Sequence, residues 1–246
     1  MKKSKRWITL SIILFIPIIL IILGGVLQTL SFNFDIFGNP VVVRLYYPVS
    51  ILIIISVMIP FFMNFEKRKP QAREIIVIAT LTSIAVAGRV AFFAVPNFKP
   101  VCAIVIIAGI CFGSETGFLV GALTGFISNF FFGQTAHTPW QMFAFGIVGF
   151  LAGVLFKKGL LSKKIIPLAI YGFLSVLIIY GVIVDLSTLF ISGVTINKAS
   201  ILTIFASGLA FNIIHAVSTV VFLVLFVPLM MEKLERIKIK YGILEK

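Results

Sequence analysis

The sequence predicts an all-α, polytopic membrane protein with about eight transmembrane helices, and three observations carry that prediction. The chain is 60% hydrophobic, with a mean hydropathy of +1.17. Only 12% of its 246 residues are charged, about half the share with which a soluble domain of this length covers its core. Its apolar residues come in long runs, Ile8 to Leu27, Pro48 to Met63 and Val217 to Met230 among them. A membrane barrel would instead alternate apolar and polar residues over about ten positions. With lipid as solvent every backbone N–H and C=O must be satisfied inside the protein, and a helix does this within one segment.

A spanning helix needs about twenty apolar residues, which places spans near 7–30, 45–63, 73–95, 98–112, 115–132, 140–156, 165–187 and 200–230. The first follows Lys2, Lys3, Lys5 and Arg6. Its run is too long for a signal peptide and no small-residue cleavage site follows, so it reads as a retained helix. The second ends at the most polar internal stretch, 64–74, a basic cytoplasmic linker. This seam divides a two-helix N-terminal appendage (1–63) from a six-helix core (75–232), after which comes a basic cytoplasmic tail (233–246). Pro70, Pro96, Pro100, Pro139 and Pro167 fall at or near the ends of runs, where proline is tolerated.

Seventeen of the 21 basic residues fall on one side of this arrangement. They are Lys2, Lys3, Lys5 and Arg6; Lys67, Arg68, Lys69 and Arg73; Lys157, Lys158, Lys163 and Lys164; and Lys233, Arg236, Lys238, Lys240 and Lys246. The other side holds only Arg44, Lys99 and Lys198, with Arg89 inside a span. The positive-inside rule then sets the chain N-in and C-in, in the cell membrane, with an even number of spans. A net charge of +13 distributed this way meets anionic headgroups of the bilayer and does not read as a nucleic-acid surface.

Small residues mark helix contacts in lipid, because close backbone approach replaces the hydrophobic effect there. The third span carries Ala79, Ser83, Ala87 and Ala91 at every fourth position; the fifth carries Gly113, Gly117, Gly121 and Gly125; the sixth has Gly149 and Gly153. Each ladder is read as packing within the bundle, and the first also as a docking face for another membrane protein.

Polar residues at membrane depth face a cavity or each other. Those here concentrate toward the outer half: Arg89, Ser128, Asn129, Gln134, His137, Trp140, Gln141 and Asp185. Gly208, Asn212, His215 and Thr219 share one face of the last span at about 100° per residue. They outline an outward-facing pocket whose substrate-binding candidates are Arg89, Asn129, Gln134, His137, Trp140, Gln141, Asp185, Asn212 and His215. Each also has a plain structural reading. Arg89 can snorkel to headgroups or pair with Asp185, Asn212 and His215 can simply bond neighbouring helices, and Trp140 can anchor the interface.

Catalytic and cofactor chemistry finds no support. The chain has no glycine-rich phosphate loop with a lysine and no His-Glu-x-x-His, no Gly-x-Ser-x-Gly and no paired carboxylates. Cys102 and Cys111 lack metal-ligand spacing and read as small buried apolar residues. No catalytic residue, metal or cofactor is expected.

From about Arg73 onward the chain resembles the substrate-binding S component of energy-coupling factor vitamin transporters. Three features carry the resemblance: the Ala79, Ser83, Ala87, Ala91 ladder; the stretch from Cys111 through Gly113, Gly117, Gly121 and Gly125 to Gly133; and Thr138-Pro139-Trp140-Gln141-Met142-Phe143-Ala144-Phe145-Gly146. The last is similar to a signature of a cobalamin-type branch. The resemblance implies a vitamin-capturing subunit that docks through Ala79, Ser83 and Ala87 on a membrane coupling (T) protein driven by two cytoplasmic ATPases. It also implies that loops 96–100, 133–140 and 189–199 close over substrate. Ser83 departs from the alanine pattern, and the appendage lies outside the minimal fold. The alternative reading is a non-transporting membrane scaffold or assembly protein. An intramembrane enzyme would need His137 or His215 beside a nucleophile or metal.

Overall fold

A computed structural model describes residues 19, 22–36, 39–160 and 164–243. The first expected span lies mostly outside the described residues, and its described end is helical over 22–27. There follows an antiparallel β-hairpin, β1 Ser31–Ile36 and β2 Asn39–Arg44, in the register Ser31↔Arg44, Phe32↔Val43 and Asn33↔Val42. The hairpin is an addition to the helical architecture, set between the first two expected spans. Its first strand nonetheless alternates polar and apolar residues with period two, as strands do.

Seven helices make up the rest of the described chain: α1 Tyr46–Lys67, α2 Ala72–Ala91, α3 Val101–Phe112, α4 Ser114–Phe132, α5 Thr138–Lys157, α6 Ile165–Ile191 and α7 Lys198–Lys240. All but α3 are long and apolar enough to cross a membrane. The protein is thus an all-α polytopic membrane protein with a small hairpin at one end. Every residue of α3 is buried, which explains why it is apolar all round and spared the length of a full span. Gly113, at φ +95°, turns the chain from α3 into α4, a backbone state that costs glycine little.

The bundle is built around α3, α4 and α5. α2 packs on α3 and α4; α7 crosses α3 and α6; α1 lies across α4, α5 and α6. In α6, a six-residue π-helical stretch, Ser175–Tyr180, interrupts the α-helix. α7 opens on a capping box between Asn197 and Ser200, which satisfies two orphan donors of the first turn. It then runs on through Lys240, past the expected end at 230 and through the first residues of the basic tail. At 43 residues it is about 65 Å long, and its buried residues are confined to the stretch from Asn212 to Leu223.

The helix ends sort into two faces. At one end Arg68 pairs with Glu74 and Glu115 at 3.0 and 3.1 Å, Arg73 donates to the Tyr241 carbonyl and Lys238 to the Cys111 carbonyl. At the other lie the hairpin, the α2–α3 loop, the α4–α5 loop and the α6–α7 loop. Tyr46 Oη donates to the Val194 carbonyl at 2.9 Å, and Gln28 Oε1 accepts from the Ile196 amide at 2.9 Å. These bonds tie the appendage to the core across the hairpin end.

Candidate functional site

The fourfold rhythm of small residues has two different outcomes. Gly117, Gly121 and Gly125 of α4 press on the backbone of α5. A Cβ on Gly121 would lie 2.5 Å from Phe145 backbone atoms, and one on Gly117 would lie 2.5 Å from the Gly149 carbonyl oxygen. Gly149 and Gly153 answer from α5, with Gly153 set against Ser114. Ala79, Ser83, Ala87 and Ala91 instead lie exposed along the outside of α2. With Leu123 and Ile127 of α4 they line an apolar groove of about 680 Å³. Ser83 Oγ donates back to the Ala79 carbonyl at 2.8 Å, so the one hydroxyl of the ladder presents no free donor to the groove.

Between α2, α4 and α5, near the hairpin end, a polar network centres on Arg89. The side chain is 8% exposed; it does not snorkel. Its Nη1 donates to Ser128 Oγ and, at 2.9 Å, to Asn129 Oδ1. Asn129 Nδ2 in turn donates to Thr138 Oγ1 at 3.0 Å and Gln141 Oε1 at 2.9 Å. The guanidinium carbon stands 4.5 Å from the Phe132 ring centre and 5.9 Å from that of Phe145, within cation–π range. Among the described residues no carboxylate pairs with Arg89. The helix spacing explains the cluster. Ser128 and Asn129 close the last turn of α4, Thr138 and Gln141 open the first turn of α5, and the short loop between them folds the two ends together.

Lys99, which the sequence reading placed only as an outer-side charge, braces this network. Its Nζ donates to the Phe92 and Val95 carbonyls at 3.0 and 3.2 Å and stands 5.3 Å from the centre of the Phe132 ring, which also faces Arg89. Its own carbonyl accepts from Ser218 Oγ of α7 at 3.0 Å. Burial, and then the nearby Arg89 charge, hold the Lys99 ammonium below the ordinary lysine range. The sequence signal for this role was the spacing from Phe92 to Lys99, which lets a lysine reach back to the carbonyls that end α2.

A second cluster lies between α6 and α7. Asn212 Nδ2 donates to Asp185 Oδ2 at 2.9 Å, so Asp185 pairs with Asn212 rather than with Arg89. Gly208 and Gly181 leave the room for this pair: a Cβ at either would strike Asp185 or Asn212. His215 Nε2 lies 3.6 Å from Cys102 Sγ, and its ring meets Tyr180 edge-on at 4.7 Å. Asn212, His215 and Thr219 are all buried on one face of α7, as the 100° spacing implies. Phe145 joins the clusters, packing on Tyr180 at 4.8 Å and on His215 at 6.2 Å.

The remaining candidates sit at the mouth of the bundle. His137 Nδ1 shares a hydrogen bond with Ser187 Oγ at 2.8 Å, and burial lowers the imidazole below its ordinary value. Trp140 is fully buried and stacks on Phe190 at 5.7 Å. It is no interfacial anchor, and its Nε1 has no acceptor among the described residues. Gln134 is exposed and donates to the Phe126 carbonyl at 2.9 Å, folded back on its own helix. No three His, Cys, Asp or Glu side chains come together as a metal cluster among the described residues.

A family model described as the ECF-type riboflavin transporter, S component, matches residues 69–233, about two thirds of the chain. The chain belongs to this family. The ECF S component so identified is a multi-pass membrane protein of the transporter class, a substrate-binding subunit rather than an enzyme. It is also 29% identical over 129 residues to a UPF0397 protein of Vibrio atlanticus (strain LGP32), a match that covers 50% of this chain and 68% of that one. No solved structure matches it. The matched region begins just before α2 and ends within α7, leaving the hairpin and α1 outside it.

Proposed function

We propose that this S component captures a vitamin at the hairpin end of the bundle and delivers it by docking on a membrane coupling protein that two cytoplasmic ATPases drive. The observation that carries the capture role is the Arg89 network: a buried guanidinium with Nη1 held by Ser128 and Asn129 and, among the described residues, no carboxylate paired with it. A guanidinium kept in a bundle without a carboxylate is costly as a purely structural element. It is well placed to donate to a substrate carbonyl or amide. Docking is supported by the Ala79, Ser83 and Ala87 groove, a flank on which a partner helix meets little side chain.

Cobalamin is the proposed substrate, on the Thr138–Gly146 motif; riboflavin, the vitamin in the family description, is the comparison. The test is titration of the purified chain in detergent with each vitamin, followed by absorbance for cobalamin and by flavin fluorescence for riboflavin. One-to-one binding that weakens at least tenfold in Arg89→Gln and Asn129→Ala, roughly the loss of one charge-assisted hydrogen bond, is the expected result. Binding of riboflavin in place of cobalamin keeps the capture role and changes the substrate. Failure of a full vitamin panel ends the capture role and leaves a membrane scaffold.

A further inference from the structure

We propose that the cavity where the hairpin meets the end of α6 binds the phosphate of a membrane lipid, with Arg44 as its anion-binding group. The cavity, of about 580 Å³, is lined by Val42, Arg44, Tyr46, Tyr47, Phe190 and Ile191 among others. Its β2 and α1 walls lie outside the residues that match the family model. It therefore belongs to the appendage and is distinct from the Arg89 network.

Three observations converge on a phosphate with an apolar body. Arg44 Nη1 is buried without a hydrogen-bond partner among the described residues, and none of their ion pairs involves Arg44. A guanidinium N–H shut away from both water and acceptor is costly, and an oxyanion is the partner that relieves it, since the planar fork fits phosphate oxygens two at a time. The walls are held in place without a ligand. Tyr46 is fixed by its bond to the Val194 carbonyl and meets Phe190 edge-on at 6.0 Å, while Phe190 stacks on buried Trp140. The third observation is depth. α1 begins at Tyr46 and has 22 residues, about 33 Å of helix against about 30 Å of hydrocarbon. The cavity mouth thus lies at headgroup level, where tyrosine and arginine are at home. Val42, which lines the cavity, is exposed, as are Phe32 of the hairpin and Leu30 just before it, an apolar flank suited to the glycerol and upper acyl region of a phospholipid.

The experiment is native mass spectrometry of the full chain in detergent, titrated with dioleoylphosphatidylglycerol, dioleoylglycerol or sn-glycerol 3-phosphate. The wild type is expected to retain one phosphatidylglycerol and no dioleoylglycerol. Arg44→Gln should weaken retention roughly tenfold, the loss of one charge-assisted contact. Arg44→Lys, which keeps the charge, should weaken it less, and Lys198→Gln at the same end should change nothing. Circular dichroism and thermal unfolding of each variant separate lost binding from lost fold, and should Arg44→Gln not fold, Arg44→Lys and the dioleoylglycerol arm still decide. Glycerol 3-phosphate bound as tightly as the lipid, and weakened by the same substitution, assigns the anion site to a soluble phosphate. Equal retention of lipid by wild type and Arg44→Gln, or of dioleoylglycerol and phosphatidylglycerol, overturns the proposal.

Discussion

Arg89 and His137 show how single side chains at the hairpin end are held, and they are held in opposite ways. Arg89 keeps its charge inside the bundle because Ser128, Asn129 and the Phe132 face replace water. His137 is half-buried against Ser187 with no acid paired with it among the described residues, and burial lowers its pKa. A group whose folded pKa lies below its unfolded value binds protons more readily when unfolded, so stability is retained above the unfolded value and falls with pH below it. The detergent-solubilised protein should therefore lose thermal stability as pH falls below the ordinary imidazole value of 6.5. In His137→Gln, which keeps a polar partner for Ser187 without the titration, the slope between pH 7 and 5 should be shallower. Identical slopes in the two proteins would remove His137 from the account.

At the scale of elements, residues of one spacing have two fates, and the difference was only half legible in the sequence. The ladders of α2 and α4 repeat a small residue every fourth position, yet α4 is enclosed by α5 and α2 is left bare on that face. Spacing reports a smooth surface; it does not report whether this chain supplies the helix that covers it. Substitutions separate the two. Gly121→Ala sets a Cβ against the α5 backbone, which cannot yield, and should cost about 1–3 kcal/mol or more as overpacking does, read as a lower unfolding temperature. Ala87→Leu, on the open groove, should leave that temperature within a degree or two of wild type, since surface changes are worth about 0.5 kcal/mol or less. Its effect should fall on uptake by cells expressing the whole transporter. Loss of stability in Ala87→Leu, with uptake tracking the folded fraction, would reassign the groove to packing within this chain. Other elements were legible to different degrees. The alternation of Ser31 to Ile36 announces a strand to anyone counting by two, whereas the π-helical turn Ser175–Tyr180 has no such mark. Its last residue, Tyr180, packs on both His215 and Phe145.

For the molecule as a whole, the distribution of charge over the two ends of the bundle predicts which way it faces. The helices alternate in direction, so Lys67 to Arg73, Lys157, Lys164 and Lys238 gather at one end, while the hairpin, the Arg89 network and the Arg44 cavity gather at the other. The positive-inside rule counts basic residues in short loops near span ends, and these loops are short: four residues separate α1 from α2, and seven separate α5 from α6. The rule therefore predicts that both proposed binding sites face outward, where a captured substrate is met, and that the ion pairs of Arg68 with Glu74 and Glu115 face the cytoplasm. Single cysteines introduced at Lys157 and Lys198, both exposed, give the test, because native Cys102 and Cys111 are buried and contribute little background. A membrane-impermeant maleimide added to intact cells should label Lys198→Cys and should reach Lys157→Cys only after permeabilisation. The reverse pattern would turn the bundle over. Arg89 and Arg44 would then open to the cytoplasm, and capture from outside would have to be abandoned even if a vitamin bound the purified chain.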